Sequence, residues 1–248
     1  MTALKTRTLV LVFALALPVA ALATFPLGFA LHLAGAQQWG LSAASVRGSI
    51  WHGRLQGAQL RGHPLGDLRI RLQPWPWLTG VRAVRVDAAA VHGRVLHGRR
   101  SGIDGVTGAF ELRQLPVLAG LDLLLHATDL RILFDGDRCI GAGGQLRAAI
   151  LAPGGAAPHA ELAGDAACAG RAAVIEMAPV VGHGTLDGSS ATLRIHGDGA
   201  WDLEMRVDGT PDAPARAWLQ AAGFQQGPAG WGRLHHGEAR GAARTAAP

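Results

Sequence analysis

The chain lacks the sequence patterns on which most enzymes and metalloproteins depend. It contains no Gly-x-Ser-x-Gly segment, no His-Glu-x-x-His segment and no pair of acidic residues in an apolar context. These absences argue against a serine nucleophile on a tight turn, a helical zinc site and a general acid–base pair. The glycine-rich segment 102–108 lacks the Lys-Ser/Thr of a phosphate-binding loop and is typical of turns. We therefore predict a protein that is not an enzyme and uses no metal or cofactor.

Lysine is almost absent and no long run of basic residues occurs, although the net charge is +5. Of the 23 basic residues, all but Lys5 are arginine, and they are spread along the chain. The sequence also offers no groove-reading helix or aromatic platform, so we predict no nucleic-acid partner. The 11 histidines are scattered and do not have the spacing of metal ligands. We also expect no small-molecule substrate.

The N-terminal part of the chain has no Asp, Glu, Lys or Arg between positions 9 and 36. Roughly 20 apolar residues cross a bilayer, so residues 9–36 are predicted to form a transmembrane signal anchor. Lys5 and Arg7 precede this segment, and the next basic residue is Arg47. By the positive-inside rule, residues 1–8 form a cytoplasmic tip and the chain after the anchor lies on the other side of the membrane.

A cleavable signal peptide is the alternative to an anchor. The segment Ala21-Leu22-Ala23 fits the small-residue pattern of a cleavage site. Against it, the apolar run continues for about ten residues past that segment. The apolar core of a signal peptide usually ends after about 7–15 residues. In either case the rest of the chain is exported.

From residue 37 the apolar residues alternate with polar ones, which is typical of β-strands. Short Gly-, Asp- or Pro-containing segments separate the alternating stretches. This pattern favours an antiparallel meander that forms a curved sheet, a sandwich or an open barrel. We predict one β-rich domain over residues 37–232, a helix over 212–222 capped by Asp212, and a disordered tail over 233–248. The predicted strands are residues 45–51, 58–61, 68–72, 81–86, 108–112, 121–127, 131–134, 145–151, 191–195 and 202–207.

Cys139 and Cys168 are the two cysteines of the chain. Two cysteines in an exported domain usually pair, so we predict a disulfide between them. In the chain-entropy model a loop of this length stabilises the fold by about 3–4 kcal/mol. The alternative is two unpaired, buried cysteines.

The most distinctive sequence follows the anchor in two segments. Residues 46–53 are Val-Arg-Gly-Ser-Ile-Trp-His-Gly, and residues 68–80 are Leu-Arg-Ile-Arg-Leu-Gln-Pro-Trp-Pro-Trp-Leu-Thr-Gly. We expect Trp51 to end a strand at a turn formed by His52 and Gly53, and the Pro-Trp-Pro-Trp-Leu corner to cap the sheet edge. The motif positions, which we expect to be mainly structural, are Gly48, Trp51, Gly53, Leu68, Leu72, Pro74, Trp75, Leu78 and Gly80.

These two segments resemble the N component of the bacterial type II secretion system. That family has a Val-x-Gly-Thr-Val/Leu-Trp-x-Gly segment, followed by Leu-x-Trp-x-Leu-x-Pro-Trp-x-Leu-Leu-x-Gly. The present chain departs from it with Ser49 in place of threonine and Ile70 in place of the tryptophan between the leucines.

The resemblance implies a short cytoplasmic tip, one inner-membrane helix and a periplasmic domain. A cysteine pair in the second half of the chain is consistent with the periplasmic domain of this family. It further implies a non-enzymatic accessory of the assembly that exports folded proteins across the outer membrane. The expected partners are the inner membrane and other secretion components, namely the inner-membrane platform and the secretin.

A membrane-tethered lipid-binding or lipid-transfer protein is the competing hypothesis. A long meander with one apolar face could curl into a groove for acyl chains. The interior of the folded sheet distinguishes the two hypotheses. An open apolar trough favours lipid, whereas an interior filled with side chains favours a scaffold.

Overall fold

The computed structural model describes residues 2–33, 35–60, 63–73, 80–112, 122–151, 158–184, 188–209, 211, 213–228 and 230–237. The chain divides into two compact units, Met1–Gln73 and Pro74–Pro248. Within these residues the strands are all paired antiparallel, four of them in the first unit and eleven in the second.

The first unit combines N-terminal helices with a small sheet. β3 pairs with β2 on one side and β4 on the other, and β1 continues the β2 side by pairing with the end of β3. The elements are α1 Thr2–Ala23, α2 Leu27–Leu33, a short 3-10 helix Ala36–Trp39, β1 Leu41–Ser42, β2 Ser45–Ser49, β3 His52–Leu60 and β4 His63–Gln73.

The predicted transmembrane segment, residues 9–36, is divided between α1 and α2, with Pro26 between them. Proline has no N–H to continue a helix, which accounts for the break at this position. Among the described residues, no helix is both long enough and apolar enough to cross a membrane. The predicted transmembrane helix is therefore not confirmed.

The second unit is an open antiparallel sheet. Strands that are neighbours in sequence pair with each other from β5 to β13, and β15 then inserts between β13 and the short edge strand β14. This order confirms the predicted antiparallel meander. The elements are β5 Val81–Ala88, β6 Val91–Gly98, β7 Arg100–Leu112, β8 Asp122–Asp135, β9 Arg138–Leu151, β10 Pro158–Ala169, β11 Ala172–Gly184, β12 Ser189–Ile195, β13 Trp201–Val207, α3 Ala213–Ala221, β14 Gln225–Gly227 and β15 Gly230–Gly237.

Several strands are longer than the alternation predicted. β8 joins the predicted strands 121–127 and 131–134 through a register shift at Asp129, whose φ of 47° is unusual for a residue other than glycine. Segment 102–108, predicted to be a turn, lies inside β7. β10 and β11 were not predicted, because they contain many alanines, which strands rarely favour.

α3 confirms the predicted helix over 212–222, although the predicted cap Asp212 lies outside the described residues. The helix presents Leu219, which is fully buried, to the core of the second unit. β15 covers residues 233–237 of the predicted tail, and residues 238–248 lie outside the described residues. The C-terminal segment up to Gly237 is therefore a paired strand.

The core of the second unit lies between the sheet and α3. The cavity bounded by residues such as Ile150, Leu162 and Trp218 has a volume of only about 10 Å³. That volume is about the minimum for one water molecule, so this part of the interior is filled by side chains. The large core residues are Leu130, Ile132, Phe134, Leu146, Ile150, Leu162, Ile175, Met177, Met205, Val207, Leu219, Phe224 and Trp231.

Candidate functional site

The first motif segment forms the hairpin of β2 and β3. Gly48 pairs with Gly53 and Ser49 with His52, so Ile50 and Trp51 form the two-residue loop. The predicted turn at His52 and Gly53 is therefore wrong, since both residues already belong to β3. Trp51 is half-buried in the loop itself.

The two motif glycines have different physical roles. Gly48 has a φ of +89°, and a Cβ at this position would overlap the carbonyl oxygen of His52. Gly53 has ordinary backbone geometry, but a Cβ there would overlap the Leu27 side chain of α2. Gly53 thus provides space for a helix rather than a turn, which a sequence pattern alone does not distinguish.

The second motif segment, in β4, contributes further apolar residues to the face of the sheet that packs against α2. Leu68 pairs with Leu55, and Ile70 pairs with Gly53. Leu27 and Leu55 are at most 2% exposed, so the motif leucines and α2 form the core of the first unit. Motif position Leu72 is half-buried, and its N–H donates to the carbonyl oxygen of Ile50 at 3.1 Å.

The remaining motif positions fall outside this sheet. Pro74, Trp75 and Leu78 lie outside the described residues. Gly80 belongs to the second unit, where its φ is +74° and its carbonyl oxygen accepts the Arg99 N–H at 3.4 Å. The structure therefore brings together Gly48, Trp51, Gly53, Leu68 and Leu72, and it supports a structural role for them.

The opposite face of the same sheet is cationic. Arg47 pairs with Arg54, and Arg54 pairs with Arg69, which places three arginines in one row across three strands. Arg71 lies two residues from Arg69 and therefore on the same face. With His52 they line an open cavity of about 290 Å³. We call Arg47, Arg54, Arg69 and Arg71 the arginine face.

The arginine face was not identified from the sequence, because the row depends on the register of three strands. All four side chains are exposed. In the part of the chain that the structure describes, none of the four arginines has an ion-pair partner.

The hairpin loop contacts the segment that follows α1. The N–H of Ile50 donates to the carbonyl oxygen of Phe25 at 3.1 Å, and Pro26 forms a β-bridge with Ser49. The arginine face therefore begins close to the C-terminal end of α1.

Cys139 and Cys168 form the predicted disulfide, with their Cα atoms 5.7 Å apart. Cys139 lies at the start of β9 and is buried in the core of the second unit. Its N–H donates to the carbonyl oxygen of Arg171, in the turn between β10 and β11. The disulfide thus joins β9 to the far end of β10.

The C-terminal strand carries a polar cluster that the sequence analysis missed. Asp202 on β13 contacts two histidines: its carboxylate lies 3.1 Å from Nε2 of His196 and 2.5 Å from Nδ1 of His236. The neighbouring His235 packs against the ring of Trp201. The missed signal is the alternation of residues 230–237, which continues into the predicted tail.

Hydrogen bonding from His236, and then from His196, lowers the pKa of Asp202 below its ordinary value of 3.8. Burial lowers the pKa of His235, and the charges of Arg233 and His236 lower it further. In the described residues no group of three or more His, Cys, Asp or Glu side chains has the geometry of a metal site.

The lowered pKa of Asp202 predicts an acid-sensitive contribution to stability. Because the folded-state pKa is depressed, this contribution is present above pH 3.8 and is lost as the pH falls through the lower folded value. Between pH 5 and about pH 3, we expect the melting temperature of Asp202→Asn to fall less than that of the wild type. Calorimetry of the full chain in detergent measures this difference.

Asp165→Asn is the matched control, since Asp165 is an exposed aspartate of the same unit. We expect its melting temperature to follow the wild type over this pH range. An equal fall in Asp202→Asn and the wild type would contradict the contribution of the His–Asp cluster.

The predicted topology residues Lys5 and Arg7 lie within α1, and their side chains are outside the described part of the structure. None of the curated proteins or solved structures compared with the chain gives a significant match.

A family model described as type II secretion system (T2SS), protein N matches residues 39–235, about four fifths of the chain. The match covers both motif segments, the disulfide and most of β15. It confirms the resemblance inferred from the motif segments and extends it over both units. The chain belongs to the type II secretion system protein N family.

Proposed function

We propose that this protein is a non-enzymatic, inner-membrane-anchored periplasmic component of the type II secretion system. Its role is to contribute to the export of folded proteins across the outer membrane. The observation that carries the proposal is the family match over residues 39–235. Membership makes the chain a secretion component, and the location and mode of action are our inference.

The support for a membrane anchor lies at the N-terminus. Residues 9–36 contain no Asp, Glu, Lys or Arg, and Lys5 and Arg7 precede them. More than half of the surface of each of five apolar side chains on α1 is exposed, namely Val10, Leu11, Val12, Phe13 and Leu17. A helix with so much exposed apolar surface is stable in lipid rather than in water. A cytoplasmic N-terminus follows from the positive-inside rule.

The support for a periplasmic location is the disulfide between Cys139 and Cys168. Disulfides persist in oxidising compartments such as the bacterial periplasm and are rare in the cytosol.

A scaffold fits the second unit better than a lipid carrier. Its core is filled by side chains of β8 to β13 and by Leu219 of α3, and the cavity beside them is about 10 Å³. Pockets for ligands of drug size usually measure about 300–1,000 Å³. An acyl chain therefore has no room in this part of the interior.

The outer edge of β15 is the surface we propose for contact with another secretion component. β14 pairs with only the first three residues of β15, Gly230 to Gly232. Among the described residues, Leu234–Gly237 has no strand partner on that side, and Leu234 is 58% exposed. An extended segment of a partner could add to this edge as a further strand.

Site-specific photocrosslinking tests the proposal in cells that express the full secretion system. We expect a photoreactive residue at Leu234 to crosslink to another secretion component. The control is Val95, which has similar exposure, 45%, but lies on the interior strand β6. Equal crosslinking from both positions would contradict the docking edge. Recovery of phospholipid with no secretion component from either position would contradict the scaffold function.

A further inference from the structure

We propose that the arginine face of the first unit binds the phosphate groups of anionic phospholipids at the membrane surface. This inference rests on the proposed membrane anchor and identifies a second contact between the protein and its membrane. The contact is electrostatic and lies in the folded sheet, separate from the apolar N-terminal segment.

The register of β2, β3 and β4 creates an electrostatic cost that a bound anion would remove. Arg47 and Arg54 are directly paired, as are Arg54 and Arg69. Paired residues on antiparallel strands have Cβ atoms about 4.5–5.5 Å apart, and like charges in this position repel. Since none of these arginines has an ion-pair partner among the described residues, their counter-charge must come from solvent or from a ligand.

The side chains of this face suit phosphate. A guanidinium group donates two parallel hydrogen bonds to phosphate oxygens, and neighbouring arginines can share one phosphate group. The face surrounds an open cavity of about 290 Å³, to which His52 and the small residues Gly48 and Gly53 also contribute. A headgroup phosphate can therefore approach the guanidinium groups without displacing a side chain from the core, because the core residues lie on the other face.

Positive charge is concentrated in the first unit. Residues 1–73 contain seven basic residues and one acidic residue, Asp67, which gives a net charge of +6. Residues 74–248 contain 16 basic and 17 acidic residues, a net charge of −1. A carboxylate oxygen of Asp67 already accepts the N–H of Gly57 at 3.0 Å. The positive potential of the first unit is thus almost uncompensated by its own acidic residues.

The position of the arginine face favours lipid over an acidic protein. Ile50 in the hairpin loop is hydrogen-bonded to Phe25, two residues after α1 ends at Ala23. At about 3.3 Å per residue, Arg47 and Arg54 lie roughly 10 Å along the strands from this loop. If the membrane surface lies at the end of α1, Arg47 and Arg54 lie about one Debye length from the headgroups.

Lipid selectivity measured by electron paramagnetic resonance tests the inference. The full chain is reconstituted in phosphatidylcholine vesicles that contain spin-labelled phosphatidylglycerol or spin-labelled phosphatidylcholine. The immobilised fraction of each spin-labelled lipid gives its association constant at the protein surface. We expect the association constant of phosphatidylglycerol to be about five times that of phosphatidylcholine. One basic residue near an anionic surface has an effect of about this size.

The quadruple variant Arg47→Gln/Arg54→Gln/Arg69→Gln/Arg71→Gln should lower this preference strongly, since it removes four of the seven basic residues of the first unit. The corresponding four Arg→Lys substitutions keep the charges and should retain most of it. The matched control replaces four exposed arginines of the second unit and should leave the preference unchanged: Arg82→Gln, Arg99→Gln, Arg138→Gln and Arg194→Gln.

Each outcome decides a different point. If the wild type immobilises both spin-labelled lipids equally, the inference is overturned and the anchor is left intact. An unchanged preference in the quadruple Gln variant assigns the selectivity to another surface and also overturns it. Absence of any immobilised lipid contradicts the anchor, and with it the proposed function. If the Gln variant fails to fold, loss of the wild-type preference as salt rises from 0.05 to about 0.5 M tests the electrostatic contact instead.

Discussion

Replacing both Cys139 and Cys168 by alanine is expected to lower the free energy of unfolding of the second unit by about 3–4 kcal/mol. The two cysteines are 29 residues apart in sequence, so the disulfide removes the entropy of closing that loop in the unfolded chain. Domains of this kind are stable by about 5–15 kcal/mol, so the loss is a large fraction of the total. Urea unfolding of the full chain in detergent, followed by tryptophan fluorescence, measures the difference.

Reduction provides the control for the cysteine variant. A thiol reductant should destabilise the wild type by a similar amount and leave the double alanine variant unchanged. If the double variant loses less than about 1 kcal/mol, loop closure is not the source of the stabilisation that we assign to the disulfide.

Substitution of Gly48 by alanine is expected to destabilise the first unit by at least about 3 kcal/mol. The φ of +89° at this position strains any residue with a side chain, at a cost of about 1–3 kcal/mol. The added Cβ would also overlap the carbonyl oxygen of His52, so the two strands of the hairpin must separate. We expect faster trypsin cleavage after Arg47 and Arg54, which the paired strands protect in the wild type.

Gly66→Ala isolates the backbone strain from the steric overlap. Gly66 lies in β4 with a φ of +74°, and a Cβ there would meet no atom within 4 Å. We expect a loss of about 1–2 kcal/mol and little change in cleavage after Arg47. Equal effects of the two substitutions would contradict the close approach of Gly48 to His52.

The sequence predicted the strands whose apolar and polar residues alternate clearly. Residues 68–72 and 202–207 lie in β4 and β13, because large apolar side chains on one face need a core to cover them. The prediction failed for β10 and β11, where alanine and glycine give no contrast between the two faces. In those strands the pairing comes from neighbouring strands and not from local sequence.

The motif predicted the sheet of the first unit, but not the roles of its residues. A glycine before an alternating segment usually indicates a turn, and Gly53 was assigned to one for that reason. Position 53 is glycine because a Cβ there would overlap the Leu27 side chain of α2. A local sequence pattern does not show this contact. The arginine face and the contacts of Asp202 escaped prediction for a related reason, since each needs residues from two or more strands in register.

The order of strands at the end of the second unit has a consequence for its biogenesis. β15 is the last strand that the structure describes, yet it lies between β13 and β14 and carries the buried Trp231. β14 therefore reaches its place in the sheet only after β15, which separates it from β13, has paired. A chain truncated before Gly230 would leave Leu219 and the outer side of β13 exposed to proteases. The sheet of the second unit is thus completed only when the last of the described strands has been synthesised.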